Sequence, residues 1–371
     1  MRSDRCPTLD TRGPCESKVL VEGIFIAVGK IMKLLPWKLP VVWGLLVLLN
    51  TAACDSPLSG GTPPFARTQG FVLALAFAPD GQTLAVATQG EGAQIRQVPS
   101  GILLRTLHPD LRTLHPDPGA ATIVRSLTFT PDGKNLLIGA TREPTPFAEL
   151  WSVADGQLLK SWAGQNPVAV SPDGRVLAVT AGGELQLWTL DALTATQRLR
   201  VDGDPLMSAA FSPDGQQIAL GTPFDLFLWR TSDGSQVQKL SSWASQVVFT
   251  PNGQLLAAPA AVNGEIVKLW RVADGQVLRT LTPPGGAGKG QIHALAISPD
   301  GRILAAGGNN QQLRLWRIAD GALLQTQSFD ATIDALAFSP DSRTLAVGEY
   351  QRVQLWTVPA LPAAPLTSPT P

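Results

Sequence analysis

Cysteine is nearly absent from this chain, and the little there is lies at one end: Cys6, Cys15 and Cys54 are the only three in 371 residues. Everything after Cys54 is free of thiols. That excludes a disulfide framework, a thiolate metal site and a cysteine nucleophile from the body of the chain. Histidine is equally scarce. Two of the three, His108 and His115, belong to a tandem duplication, RTLHPD at 105–110 and again at 112–117. The third, His293, falls within a predicted strand, where a packing or exposed role outweighs a ligand role. No acidic cluster has metal-ligand spacing, and no cofactor is expected. Excess charge of one sign is missing too, with 29 basic and 29 acidic residues. Seven of the basic and four of the acidic residues precede Cys54, which leaves 22 against 25 in the remainder. A slightly acidic body has no electrostatic attraction for nucleic acid. Long hydrophobic runs are lacking as well. The apolar run Val41 to Leu49 is nine residues, where a membrane-spanning helix needs about 20.

Turn chemistry is plentiful instead. A hydrophobic content of 44% excludes global disorder, and 35 Gly with 31 Pro suit a turn-dense all-β chain. About forty residues are written seven times. The clearest copy, Gln291 to Ser328, reads QIHALAISPDGRILAAGGNNQQLRLWRIADGALLQTQS. An apolar run stops at Pro299-Asp300-Gly301, where Pro pre-sets φ, Asp tolerates the next position and Gly accepts positive φ. A second strand follows, then a looser Gly-Gly-Asn-Asn loop, and a third strand centred on Leu315-Trp316. Ala319-Asp320-Gly321 turns the chain into a fourth. One unit is a four-stranded antiparallel meander.

The first turn recurs with Pro at 79, 131, 172, 213, 251, 299 and 340, at intervals of 52, 41, 41, 38, 48 and 41. The duplicated RTLHPD accounts for the long first interval. Leu-Trp recurs at 150/151, 187/188, 228/229, 269/270, 315/316 and 355/356, with Ile95-Arg96 in the first unit. A period near 41 with Trp on the third strand resembles the WD-repeat family, in particular its bacterial members with SPDG, LW and ADG turns. The resemblance covers roughly residues 65 to 360. It implies an all-β, seven-bladed β-propeller and a protein-binding role. The WD dipeptide and the Gly-His pair of the family are missing, so its buried His–Ser/Thr–Asp–Trp network keeps only the Trp. A TolB-like propeller shares the PDG turn but not the LW…ADG half. Seven radial sheets close on themselves and protect their edges. The last unit stops after Trp356 without a fourth strand; the resemblance implies that a strand from before the first unit, Thr62 to Thr68, supplies it, with the tail Pro359 to Leu366 as the alternative.

The segment Met32 to Cys54, MKLLPWKLPVVWGLLVLLNTAAC, has a basic start, an apolar run and small residues before a cysteine. That is the anatomy of a secretory signal. Its end resembles the lipobox of bacterial lipoproteins, except that Thr51 stands where Leu is usual. The resemblance implies lipid attachment at Cys54 and a bacterial cell-envelope, extracytoplasmic, membrane-anchored location. The resulting organisation is a doubtful extension (1–31, with Met32 the expected start), a signal peptide (32–53) and a lipidated Cys54 with polar tether (54–64). The propeller (65–360) and a Pro-rich tail (361–371) complete it.

Catalytic signals are scarce. Pro284 to Gly290 looks like a phosphate loop but lacks the first Gly and the Ser/Thr, and it links two strands. A propeller enzyme would need a cage at the starts of the first strands. Those places hold Val72, Val124, Pro167, Met207, Gln246, Ile292 and Ile333. A non-catalytic scaffold is expected, with an extracytoplasmic hydrolase or lactonase, or a TolB-like component, as alternatives. Its working face is expected opposite the tight turns, on the loops between strands two and three and between units. Phe147, Phe224, Trp243 and Tyr350 are the candidate contacts to a protein partner.

Overall fold

The computed structural model describes residues 64–109, 122–142, 145–163, 166–181, 184–190, 195–200, 206–260, 264–286, 288 and 290–361. The signal segment, Cys54, most of the tether, the second RTLHPD copy and the tail after Leu361 lie outside the described residues.

Strand β1 (Ala66–Arg67) enters first and is set aside for the last sheet. Blade 1 is β2 (Val72–Phe77), β3 (Thr83–Thr88), β4 (Gly92–Gln97) and β5 (Leu103–Leu107). Blade 2 is β6 (Thr122–Phe129), β7 (Asn135–Arg142), β8 (Thr145–Ser152) and β9 (Leu158–Ala163). Blade 3 is β10 (Asn166–Val170), β11 (Val176–Ala181), β12 (Glu184–Thr189) and β13 (Ala195–Arg200). Blade 4 is β14 (Ser208–Phe211), β15 (Gln217–Gly221), β16 (Asp225–Arg230) and β17 (Gln236–Ser241). Blade 5 is β18 (Val248–Phe249), β19 (Leu255–Pro259), β20 (Val267–Arg271) and β21 (Val277–Leu281). Blade 6 is β22 (Ile292–Ile297), β23 (Ile303–Gly308), β24 (Gln312–Arg317) and β25 (Leu323–Ser328). Blade 7 is β26 (Ile333–Phe338), β27 (Thr344–Glu349) and β28 (Arg352–Thr357), with β1 as its outer strand.

The first strands of successive blades touch in cyclic order, β2 against β6 and so on round to β26 against β2. The molecule is a closed seven-bladed β-propeller. Closure comes from Ala66 pairing with Val353 and Arg67 with Arg352, two residues inside the expected Thr62–Thr68 stretch. Beyond this short ladder, Tyr350 carbonyl accepts the Val72 amide at 2.7 Å and Gln351 carbonyl accepts the Thr68 amide at 2.9 Å.

Second strands are buried almost throughout (Leu84 to Ala87, Leu304 to Ala306, Leu345 to Val347), because both faces of a blade pack on neighbours. The core is therefore a series of inter-blade layers, such as Leu304, Ala306 and Trp316 of blade 6 with Ala257 and Leu269 of blade 5. All seven four-stranded sheets are built from strands between Ala66 and Thr357.

Each first turn is clamped by a residue that PDG alone does not include. In six blades the residue before Pro is Ser or Thr. The Ser298 hydroxyl donates to Asp300 Oδ1 at 2.5 Å and accepts the Ile303 amide at 3.0 Å, while Asp300 Oδ1 accepts the Arg302 amide at 3.0 Å. Thr130, Ser171, Ser212, Thr250 and Ser339 repeat the arrangement. Blade 1 has Ala78 there and keeps only the Asp80 half, with the Gln82 amide at 2.8 Å. These hydroxyls hold the Asp132, Asp173, Asp214 and Asp341 carboxyls below the usual carboxylate range, helped by the backbone amide two residues on.

The clamped turns also touch one another. A Cβ on Gly133 would meet Pro79 Cδ at 3.5 Å, one on Gly174 would meet Pro131 at 3.0 Å, and one on Gly81 would meet Pro340 at 3.6 Å. Blade 7 has Ser342 in the glycine place, at φ 62°, and its hydroxyl accepts the Asp300 amide at 3.0 Å. That contact helps offset the strain of a left-handed non-glycine residue. The seven turns thus form a ring round the axis.

Candidate interaction face

Among the described residues, the first loops of the blades and the third loops of blades 1, 2, 4, 5 and 6 are the tight turns and share one face; the loops joining strands two and three, and those joining blades, share the other. This second face is built from rigid strand ends, and its centre is the mouth of the channel. In blades 1, 2, 3, 6 and 7 the first strand carries a β-bulge near its start, skipping Leu73, Arg125, Val168, His293 and Asp334. A bulge re-aims the extra side chain. Val72, Val124 and Ile333, expected at the channel, are fully buried between blades, and Ile292 is buried as well. The channel position is the next residue, six before the turn proline. Met207 and Ser245 occupy the same place in blades 4 and 5.

The mouth is consequently more polar than the sequence reading expected. Arg125, Ser126, Met207, Ser208, Ser245 and Gln246 line a channel of about 450 Å³. His293 Nδ1 and Asp334 Oδ1 lie 2.8 Å apart across the blade 6–7 boundary, each side chain about one-third exposed. Gln246 Oε1 accepts the Leu295 amide at 2.6 Å and ties blade 5 to blade 6. Sequence reasoning missed this set because a strand's start does not reveal a bulge. A six-residue offset from the turn proline marks the skipped residue in blades 1, 2, 6 and 7, whereas in blade 3 the skipped Val168 lies four before Pro172.

Round the mouth, the aromatic candidates separate. Phe224 is 68% exposed at the tip of the β15–β16 loop. That tip is held by Thr222, whose hydroxyl accepts the amides of Phe224 at 3.3 Å and Asp225 at 2.9 Å. Tyr350 is half-exposed at φ 43° and stacks edge-on against Phe71, with ring centroids 4.9 Å apart. Trp243 is half-buried in the loop after β17, beside the fully buried Ala244. Phe147 is not on the face. The supposed loop Thr141 to Phe147 is mostly strand, because β7 and β8 run eight residues each and pair Ala140 with Phe147. Phe147 is fully buried in the layer between blades 1 and 2, where removing it from water outweighs any contact it could make outside.

Ion pairs stiffen the same face. Glu265 and Arg314 pair across blades 5 and 6 with nearly all of both side chains buried. The glycine-rich loop crosses above them: a Cβ on Gly288 would lie 2.4 Å from Glu265 Oε1. The close approach requires glycine at 288 and 290, where the backbone passes the Glu265 carboxylate, while Gly285 and Gly286 serve positive φ in open space. Arg352 bridges Asp330 at 3.1 Å and the buried Glu349 at 3.6 Å. Among the described residues no three His, Cys, Asp or Glu gather as a metal site.

Residues 275–317 match the family model "WD domain, G-beta repeat". The seven-bladed propeller thus contains a WD repeat in this window. The matched window runs from the end of blade 5 to the third strand of blade 6, so a WD repeat is offset by one strand from a blade. Curated relatives agree in kind. An uncharacterized WD repeat-containing protein of Synechocystis sp. is 26% identical over 38% of this chain and 40% of its own length. The guanine nucleotide-binding protein subunit beta of Zea mays is 26% identical over 64% of this chain and 67% of its own. A WD repeat and SOCS box-containing protein of Danio rerio is 44% identical over 19% of this chain and 18% of its own. The chain thus spans 40% of the first of these and 67% of the second.

Proposed function

We propose that this WD-repeat propeller is a non-catalytic interaction scaffold, anchored through a lipid on Cys54 in a bacterial cell envelope, whose loop face docks a segment of another protein. The observation that carries the reading is the pairing of exposed aromatics with a polar channel mouth on one rigid face. Phe224 and the Phe71–Tyr350 pair stand on the rim, and Arg125, Gln246 and the His293–Asp334 contact line the centre. Large aromatics with few rotatable bonds, set beside a small number of fixed polar groups, suit a peptide or loop of a partner. The propeller relatives named above belong to a family whose members bind other proteins, which supports the same reading.

The test is cross-linking in the native envelope followed by mass spectrometry, with the native chain and with Phe224→Ser and Tyr350→Ser together. Loss of most cross-links to one partner with an unchanged melting transition supports the reading. Undiminished cross-linking places the interface elsewhere. The lipid is tested separately: Cys54→Ala should abolish lipid labelling, and persistent labelling refutes the anchor.

A further inference from the structure

Among the described residues, the tight-turn side of the propeller carries its broadest apolar patch at the corner of blades 1 and 2. Ile102, Leu103 and Leu104 at the start of β5, with Leu158 and Leu159 at the start of β9, are each between 42 and 56% exposed. The two strands are neighbours. Arg105 of β5 donates to the carbonyls of Ala154 at 2.9 Å and Asp155 at 2.7 Å, in the turn just before β9. Leu159 also lines a groove of about 520 Å³ between the first turns of blades 1 and 2, with Pro79, Val153 and Ala154. Elsewhere the outer strands expose less at this place: β13 begins Ala195-Thr196-Gln197 and β17 Gln236-Val237-Gln238, β25 begins Leu323-Leu324 with both half-buried, and β21 exposes the single pair Val277 and Leu278. Five exposed aliphatic residues in adjacent blades exceed what scattered surface leucines explain.

The second observation is where the chain enters. Phe65, the residue before β1, lies against Gly101: a Cβ there would meet the Phe65 carbonyl oxygen at 2.0 Å. The entering chain therefore meets the propeller beside Ile102, at the edge of the patch. From Cys54 to Pro64 the chain has ten residue steps, which extend to roughly 35 Å at most and average under roughly 20 Å if flexible. A lipid on Cys54 would hold this corner close to the bilayer.

We propose that Ile102, Leu103, Leu104, Leu158 and Leu159 form a second membrane contact that rests in the bilayer interface and turns the loop face away from it. The proposal rests on the lipid-anchor reading for its geometry. A lipid on Cys54 fixes one point through a polar tether and leaves the propeller free to turn, and a second apolar contact sets its orientation. The exposed edges of β5 and β9, with unpaired backbone groups, would also be shielded there.

The test uses residues 55–371, which contain the whole propeller, with the native patch and with Ile102→Ser, Leu104→Ser and Leu159→Ser together. Flotation with phosphatidylethanolamine–phosphatidylglycerol vesicles should show the triple variant losing roughly tenfold or more in partitioning, at an unchanged melting transition. On the processed full chain bound to the same vesicles, amide exchange at 102–105 and 158–161 should slow. Equal partitioning of the two 55–371 chains overturns the proposal. So does a native-patch chain that sediments as a dimer while the variant is monomeric, since the patch would then join two copies. Absence of lipid on Cys54 in the processed chain, with patch-dependent flotation retained, defeats the anchor and leaves the membrane contact standing.

Discussion

Six side-chain hydroxyls act as hubs of the first turns, each with a donor role and an acceptor role in a space closed to water. Ser298 is fully buried. Ser298→Ala would strand the Ile303 amide, a loss that costs about 1–3 kcal/mol, and thermal unfolding should show a midpoint lower by several degrees. The reverse change is available in blade 1. Ala78→Ser supplies the missing hydroxyl beside Asp80 and should raise the midpoint by a degree or two, read in the same scan. Phenylalanines separate just as clearly. Phe147→Ser empties a buried site between blades and should cost roughly 3–5 kcal/mol, enough to reduce folded yield. Phe224→Ser, on an exposed tip, should change stability by no more than about 0.5 kcal/mol. In the sequence both are phenylalanines near a strand boundary. Burial of one and exposure of the other follows from where β8 starts, which the alternation of apolar residues at Thr145 to Ser152 does not define.

At the scale of elements, blades are joined by side chains that reach from one outer strand to the next second turn. Arg105 serves blade 2, Gln197 reaches the Ser232 carbonyl at 2.8 Å, Gln238 reaches Val272 at 3.1 Å, and Arg279 reaches Ala319 and Asp320. Blade 7 has instead the two-residue ladder of β1, reinforced by the contacts of Thr68, Gln69 and Val72 with residues 350–351. Removing residues 55–68 opens that edge and uncovers Ala66, Val353 and their neighbours. The melting midpoint should fall by about 5 °C or more, with increased aggregation through the exposed strand β28. Truncation after Leu361 should leave the midpoint unchanged, because β1 already fills the outer position. The need for a borrowed strand was legible from the missing fourth strand after Trp356. Its shortness was not, since pairing ends where Pro64 and Gln69 leave the sheet.

For the whole molecule, the ring of first turns makes acid stability a collective property. The carboxyls of Asp132, Asp173, Asp214 and Asp341 titrate below their unfolded values, chiefly through the Ser or Thr hydroxyl. Asp233, in a second turn, is lowered to about 2 by Ser235 and Arg230. A carboxyl depressed in the folded state contributes stability that is present above the unfolded value and lost as pH falls through the folded one. Chemical denaturation should therefore show carboxylate-linked stability level above about pH 5 and declining from about pH 4 downward. The five carboxyls are largely solvent-exposed, so each contribution is small and the decline is spread over the ring.

Periodicity alone determined the architecture. Seven turn prolines, six Leu-Trp pairs and a missing last strand specify seven meanders and a closing strand, because turn chemistry and alternation are local properties that a sequence displays directly. Tertiary structure alone decided which side chains reach the loop face and the channel mouth. Bulges moved the channel position by one residue and replaced an apolar ring with Arg125, His293 and Asp334. Strand length put Phe147 in the core, and the entry point of the chain set Phe65 beside the apolar corner of blades 1 and 2. These features depend on which residues meet across blades about forty positions apart, and the physical reason they stay hidden is that a local pattern carries no record of its neighbours in space.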